Sequence, residues 1–215
     1  MFTNSTKALV ETIHFLSQKG WIPATSSNFS IKQADNHDSF WVSKSGVDKH
    51  HFTEHDLLEV DMQGKVLHNL PIKSSAETLI HCSIYRQFPH TQCVLHSHSV
   101  HSTVLSRMYL ANKVNSITFQ GYEIQKAFPN ITTHDSTIEL PIFANSQDMV
   151  AFCVDVEQYF AEMQATNQSI PVGFLIAGHG LYTWGDSVFA AKRHMEAWEF
   201  LLECHIVEST LISRL

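Results

Sequence analysis

The first clear hydrophobic pattern along the chain is helical. Leu9, Ile13 and Leu16 recur at intervals of three or four within residues 5–19, which places them on one face of an amphipathic helix. Gly20 follows directly and is a typical residue for ending a helix. The pattern therefore predicts that the chain opens with a helix whose apolar face is buried.

Helical and extended segments alternate along the rest of the chain. Further helices are predicted over 75–88, 100–107, 148–163 and 187–207. Strands are predicted over 28–31, 40–42, 58–60, 65–67, 92–98 and 172–177. This interleaving predicts an α/β protein, and the short hairpins indicate that part of the sheet is antiparallel. No repeat or linker interrupts the pattern, so we expect one domain over 1–215.

Composition narrows the classes of protein that this chain can belong to. Hydrophobic residues make up 44% and charged residues 16%, which is typical of a globular domain. A net charge of −7 without basic runs argues against binding to nucleic acid or to a membrane. No signal peptide pattern opens the chain, and the cysteines form no C-x-x-C pair. We therefore expect a cytoplasmic protein with reduced, buried thiols at Cys82, Cys93, Cys153 and Cys204.

Two of the 15 histidines, His96 and His98, stand two residues apart in a predicted strand. Residues at that spacing point to the same face of a strand. Their imidazoles can therefore reach one metal ion at about 2.0–2.1 Å. Taken alone, such a pair is more often two solvent-facing histidines at a strand end.

A third histidine, His179, favours the metal site. It stands between Gly178 and Gly180 directly after the predicted strand 172–177, and strand ends are where α/β proteins build sites. Three neutral imidazoles leave a coordination position open, which is typical of a catalytic zinc site. Iron, cobalt and nickel accept the same ligands, so this reasoning leaves the metal open.

The segment around Glu77 has two interpretations. Ser74 and Glu77 have the spacing of a capping box at a helix start, and the spacing alone favours this interpretation. Alternatively, Glu77 supplies a carboxylate near the metal while the helix N-terminus binds a phosphate group. Small polar loop residues typical of turns also suit a phosphate pocket without arginine; these are Asn28, Ser45, Gly46 and Ser75.

Taken together, these motifs resemble the class II aldolase family. The matching stretches are 27–30, 43–46, 75–77, 96–98 and 178–180. The resemblance implies a three-layer α/β/α fold with a mostly antiparallel central sheet and a homotetrameric assembly. It also implies one zinc ion per subunit on His96, His98 and His179, and a sugar phosphate held by Asn28, Ser45, Gly46 and Ser75. Many members have a serine where this chain has Ala76, so the phosphate pocket departs from the family pattern.

Within the family, the stretches 75–78, 94–99, 123–128 and 178–185 are most similar to a dehydratase branch. That similarity implies loss of water from 5-methylthioribulose 1-phosphate in methionine salvage. It also implies that Glu123 is the acid/base residue, with Glu77 as the alternative or as an auxiliary carboxylate beside the metal. Two other functions stay open: a sugar-phosphate aldolase, which breaks a C–C bond, and a binding module that has no catalytic activity.

Overall fold

The fold is built on a sheet of eight strands. The computed structural model describes residues 3–33, 36–67, 72 and 74–212. The strands are β1 (Phe29–Gln33), β2 (Asn36–Ser43), β3 (Leu57–Asp61), β4 (Cys93–Ser97), β5 (Ser116–Phe119), β6 (Ile138–Phe143), β7 (Gly173–Ile176) and β8 (Gly180–Gly185). Their order is β3-β2-β1-β4-β8-β7-β6-β5. Only the β6–β7 pairing is parallel among these strands, so the prediction of a mostly antiparallel sheet is confirmed.

Helices cover both faces of the sheet. They are α1 (Asn4–Gln18), α2 (Thr78–Gln87), α3 (Val100–Ala111), α4 (Met149–Ala165) and α5 (Val188–Ile212). Buried residues of α1, α3 and α5 form one core cluster, and those of α2 and α4 form the other. The arrangement is a three-layer α/β/α fold, as predicted. Within the described ranges, no helix is both long enough and apolar enough to span a bilayer.

The two cores follow from the residue patterns of the elements. Leu9, Ile13 and Leu16 of α1 are fully buried, as the helical spacing predicts. In β4, Cys93 and Leu95 contribute to the α1/α3/α5 core, while Val94 contributes to the α2/α4 core. Because side chains alternate along a strand, His96 faces the α2/α4 side with Val94.

The start of α2 corrects the sequence-based prediction. The helix begins at Thr78, and Glu77 precedes it without forming a side-chain cap. Ser74 donates its hydroxyl to the carbonyl of Gly64 at 3.0 Å. The predicted capping box between Ser74 and Glu77 is therefore wrong, because tertiary contacts engage both side chains.

Three strands and the last turns of two helices lie outside the predicted elements. β5, β6 and β8 were not predicted, α3 runs to Ala111, four residues beyond its predicted end, and α5 runs to Ile212, five residues beyond the predicted end at Val207. β6 includes Pro141 and β8 has glycine at both ends, residues that disfavour strand assignment from sequence. The four cysteines are free thiols; three are buried, and Cys204 is half-buried.

Candidate metal centre

The structure brings His96, His98 and His179 together. One ring nitrogen of each lies within 4.8 Å of the other two. The ring centroids are 4.5 Å apart for His96 and His98, 4.7 Å for His98 and His179, and 5.0 Å for His96 and His179. The three residues come from the end of β4 and from the turn between β7 and β8, so the sheet itself assembles the cluster.

The pairing of β4 with β8 orients His96. The imidazole is fully buried, and its Nδ1 lies 2.9 Å from the carbonyl oxygen of Leu181. Because that oxygen can only accept a hydrogen bond, Nδ1 is the protonated nitrogen. Nε2 of His96 therefore presents a lone pair to the cluster, which is the state that metal binding requires.

The turn that carries His179 is fixed by glycines and by α3. Gly178 has a φ of +66°, and a Cβ on Gly180 would lie 1.9 Å from the carbonyl oxygen of Ser97. Thr103 donates its hydroxyl to the carbonyl of His179 at 3.0 Å. Ser106 accepts the N–H of Gly178 at 3.1 Å. Gly180 is therefore needed for close approach to β4 and Gly178 for the positive φ of the turn, and two hydroxyls of α3 hold the turn there.

His98 lies just beyond β4, where its backbone N–H donates to the backbone carbonyl of Trp21 at 2.7 Å. Burial, followed by the neighbouring His179, lowers the pKa of His98 to about 4. Burial, followed by the neighbouring His98 and His179, holds the pKa of His96 well below its ordinary value. His96 and His98 are therefore neutral near pH 7 and available as ligands.

The donor set fits a divalent metal ion. Nε2 of His96 and Nε2 of His179 are 3.4 Å apart, about the separation of two ligands that bind one tetrahedral ion at 2.0–2.1 Å. Three imidazoles without cysteine leave a position open for a substrate, which separates this arrangement from a structural zinc site.

Glu77 lies beside the histidine cluster. Its Oε1 is 3.4 Å from Nε2 of His179, and its Oε2 is 3.8 Å from Nε2 of His96. Oε2 also accepts hydrogen bonds from the hydroxyl of Tyr182, at 2.9 Å, and from the amide of Asn28. Burial, followed by the charge of Glu77, holds the pKa of Tyr182 well above its ordinary value, so this hydroxyl stays protonated.

Glu123 occupies a different environment. It begins a short 3₁₀ helix, and 71% of its side chain is exposed. The carboxylate pairs with Lys126 and lies 3.5 Å from the ring of His134. The hydrogen bond from Lys126 lowers the pKa of Glu123. Of the two carboxylates considered from the sequence, Glu77 is thus the one that contacts the histidine cluster, through His96 and His179.

The residues considered for phosphate binding occupy loops and one buried position. Ser45 and Gly46 form an exposed turn after β2, and Gly46 has a φ of +73°. Ser75 precedes α2 and accepts the N–H of Glu77 at 3.3 Å. Asn28 is buried, and its amide bonds to Glu77 and His81. Their role in phosphate binding stays a prediction.

Two neighbours of the cluster were not identified from the sequence. The ring of Tyr182 stacks on His96 with centroids 3.9 Å apart and an interplanar angle of 12°. His81 is fully buried and bonds to Asn28. A signal existed for His81, because Glu77, His81 and Tyr85 are spaced by four residues and so share one face of the α2 segment.

Comparison with known proteins identifies relatives along most of the chain. A methylthioribulose-1-phosphate dehydratase of Picosynechococcus sp. is 47% identical over 199 residues, covering 92% of this chain and 89% of that protein. The protein of the same name from Xanthomonas campestris pv. campestris is 43% identical over 198 residues, covering 92% and 86%. The similarity to these two relatives therefore extends over nearly the whole length of the chain.

Solved structures and a family model agree on the fold. An L-fuculose-1-phosphate aldolase from Thermus thermophilus superposes with a TM-score of 0.73 at 22% identity, covering 96% of both chains. Another L-fuculose 1-phosphate aldolase gives a TM-score of 0.76 at 14% identity, covering 98% of this chain and 89% of the other. The model of the Class II Aldolase and Adducin N-terminal domain matches residues 7–206. The chain therefore belongs to the class II aldolase and adducin N-terminal domain family.

Proposed function

We propose that this protein is a zinc-dependent methylthioribulose-1-phosphate dehydratase. It would convert 5-methylthioribulose 1-phosphate to 2,3-diketo-5-methylthiopentyl 1-phosphate with loss of one water molecule, a step of methionine salvage. The observation that carries the proposal is a three-histidine cluster with an adjacent carboxylate in a chain 47% identical to a dehydratase of that name.

His96, His98 and His179 would hold the metal through their neutral imidazoles. A bound divalent ion supplies Lewis acidity, which polarises the substrate ketone and acidifies the neighbouring C–H bond. The buried position of His96 and its bond to the carbonyl of Leu181 fix the direction of its lone pair. The chain therefore provides a pre-oriented ligand set, which is what gives such a site its geometry.

Elimination of water requires that one proton be removed from carbon and one delivered to the departing hydroxyl. Glu77 is positioned for proton transfer beside the cluster, because its Oε1 lies 3.4 Å from Nε2 of His179. Glu123 is the acid/base residue indicated by resemblance to the dehydratase branch. On that resemblance we assign Glu123 the second proton transfer, although its contacts within the chain are with Lys126 and His134, and we test the two carboxylates separately.

Asn28, Ser45, Gly46 and Ser75 are the proposed phosphate contacts. Backbone and hydroxyl donors of this kind bind phosphate without arginine. Asn28 uses one amide hydrogen on Glu77, and the second stays available for a substrate oxygen. The turn at Ser45 and Gly46 offers exposed donors near the end of β2.

We further propose a single cytoplasmic domain that acts on a small sugar phosphate as a homotetramer. Three of its four free cysteines are buried, which fits a reducing compartment. The family relationship and exposed apolar side chains on α3 and α5 support self-association.

Product analysis tests the function directly. Purified, zinc-loaded protein incubated with 5-methylthioribulose 1-phosphate should release a diketone and no triose phosphate. The fold is shared with L-fuculose-1-phosphate aldolases, so a triose phosphate with no diketone would replace the dehydratase proposal with an aldolase. No conversion by the metal-loaded protein would contradict both activities on this substrate.

A further inference from the structure

The two oxygens of Glu77 are bonded differently. Oε2 accepts both the hydroxyl of Tyr182 and the amide of Asn28. Oε1 receives neither of these bonds and faces Nε2 of His179 at 3.4 Å. Two donors on one oxygen stop the carboxylate from rotating, so Oε1 keeps a fixed direction toward the cluster.

A chain of buried hydrogen bonds determines which end of the Asn28 amide faces Glu77. Nε2 of His81 bonds to Oδ1 of Asn28, and because an amide oxygen only accepts, Nε2 carries the proton. Nδ1 of His81 must then accept from the hydroxyl of Ser30, 2.7 Å away. The hydroxyl of Tyr85, 2.7 Å from Ser30, completes the chain.

Every bond in this chain points the same way, from Tyr85 through Ser30, His81 and Asn28 to Glu77. His81 is fully buried, and burial lowers its pKa to about 3, so it remains a neutral donor of one proton. With Oδ1 of Asn28 engaged by His81, the amide can only offer its N–H₂ to the carboxylate. The same oxygen of Glu77 is thereby held from two sides.

We propose that Tyr182 and His81 are positioning residues for Glu77, with Tyr182 acting directly on Oε2 and His81 acting through Asn28. This inference rests on the proposed function, because Glu77 is the carboxylate assigned to proton transfer. Neither residue needs to touch the substrate. Each acts by holding the carboxylate oxygen that faces the histidine cluster in one direction.

A double-mutant cycle tests whether Tyr182 acts through Glu77. Tyr182→Phe keeps the ring that stacks on His96 and removes only the hydroxyl. We expect kcat to fall about tenfold or more, the size of a lost charge-assisted hydrogen bond, with KM within about twofold and the metal content unchanged. In a Glu77→Gln background the same substitution should cause no further fall. An unchanged kcat in the single variant, or additive losses in the cycle, would refute the role of Tyr182.

His81 is tested by a pair of substitutions. His81→Gln keeps an N–H donor that can reach Oδ1 of Asn28, whereas His81→Leu removes it. We expect His81→Gln to retain most of kcat and His81→Leu to lose about tenfold or more. Equal kcat values in the two folded variants would contradict the proposal. Tyr109→Phe is the matched control for Tyr182→Phe, because it removes a tyrosine hydroxyl that bonds to a histidine outside this chain of hydrogen bonds, His205. The kcat of Tyr109→Phe should equal that of the wild type.

A measurement that does not need turnover separates this inference from the proposed function. Nitrogen-15 NMR of the histidine side chains should show neutral His81 with its proton on Nε2 near pH 7. A proton on Nδ1, or a charged ring, would reverse the chain and overturn the inference even in an active enzyme. The expected tautomer in a protein that makes no diketone would leave the positioning of Glu77 standing and refute only the proposed reaction.

Discussion

At the residue scale, the site depends on ligands that are held neutral and oriented before a metal binds. His96 reaches this state through full burial and its bond to Leu181. Glu77 lies within 3.8 Å of His96 and within 3.4 Å of His179. The cluster therefore combines three histidine donors with one carboxylate, which is a combination suited to proton transfer beside a Lewis acid.

Removing any one ligand should empty the site. His96→Ala, His98→Ala and His179→Ala should each greatly reduce bound metal from about one ion per chain, because two imidazoles rarely hold a catalytic ion in place of three. Metal analysis of the purified, folded variants provides the measurement. Full occupancy in His179→Ala would exclude that histidine from the site.

The two carboxylates can be separated by isosteric substitution. Glu77→Gln and Glu123→Gln should each keep the metal and lower water elimination by about 10²–10⁴-fold, the usual contribution of a general acid or base. Steady-state kinetics on metal-loaded protein gives the comparison. Near-normal turnover in Glu123→Gln, beside a dead Glu77→Gln enzyme, would remove Glu123 from the mechanism.

Glu199 should make stability depend on pH. It is buried on α5, where its Oε1 accepts the hydroxyl of Ser97 at 2.6 Å. Burial raises its pKa to about 7 from an ordinary value of 4.5, a rise that Glu203 reinforces and that hydrogen bonds from Ser97 and Ser99 oppose. The folded state therefore holds the proton more tightly, and stability falls as pH rises from about 4.5 to about 7.

Glu199→Gln should lack this loss, which amounts to about 3 kcal/mol at 1.4 kcal/mol per pH unit. Denaturant unfolding at several pH values gives the measurement, with Glu196→Gln, an exposed position on the same helix, as the control. The free energy of unfolding of Glu199→Gln minus that of the wild type should increase between about pH 4.5 and about pH 7. Above about pH 7 this difference should stay constant. Parallel curves for the two proteins would contradict the argument.

At the element scale, the pairing of β4 with β8 brings the ligands together. Residues 93–97 pair with 181–185 in antiparallel register, which sets His96 opposite Tyr182. The turn before β8 then places His179 beside His96. On the facing helix, the four-residue spacing of Glu77, His81 and Tyr85 directs all three toward the same face of the sheet.

Gly180→Ala should disrupt this pairing. An added Cβ would lie 1.9 Å from the carbonyl oxygen of Ser97, so β8 must move away from β4. We expect a loss of about 3 kcal/mol or more in the free energy of unfolding, together with weaker metal binding. Gly20→Ala is the control for steric contact, since Gly20 has a positive φ, unlike Gly180, but nothing within 4 Å of an added Cβ; its backbone strain alone should cost about 1–2 kcal/mol. Equal losses in the two variants would refute the steric argument.

At the scale of the whole molecule, the sheet separates two cores, and the histidine cluster lies on the side covered by α2 and α4. The other side carries large apolar side chains that remain exposed in the single chain. Met108 of α3 is 57% exposed, and Phe200 and Leu211 of α5 are 51% and 55% exposed. Exposed apolar surface of this kind is typical of subunit contacts.

We expect the active protein to be a homotetramer. Light scattering at micromolar concentration should give four times the mass of one chain. Met108→Glu and Phe200→Glu place charges on the exposed apolar surface and should lower that mass if these helices contribute to the contacts. An active monomer at the same concentration would overturn the expected assembly.

The sequence by itself determined the class of the fold and the metal ligands that we propose. Apolar spacing predicted α1 because a helix buries residues three and four apart, and Leu9, Ile13 and Leu16 are indeed fully buried. Two histidines on one strand and a third between glycines were local signals of a ligand set. These features were readable because each depends on the geometry of a short segment.

Only the tertiary structure decided which groups the Glu77 carboxylate bonds to. Its spacing from Ser74 indicated a helix cap, yet the carboxylate bonds to Asn28 and to Tyr182, residues 49 and 105 positions away along the chain. Strand β8 was not predicted, because its glycines suit a close approach to β4 that no local pattern encodes. Contacts between distant segments are set by packing, and so the partners of Glu77 became known only once the sheet had been assembled.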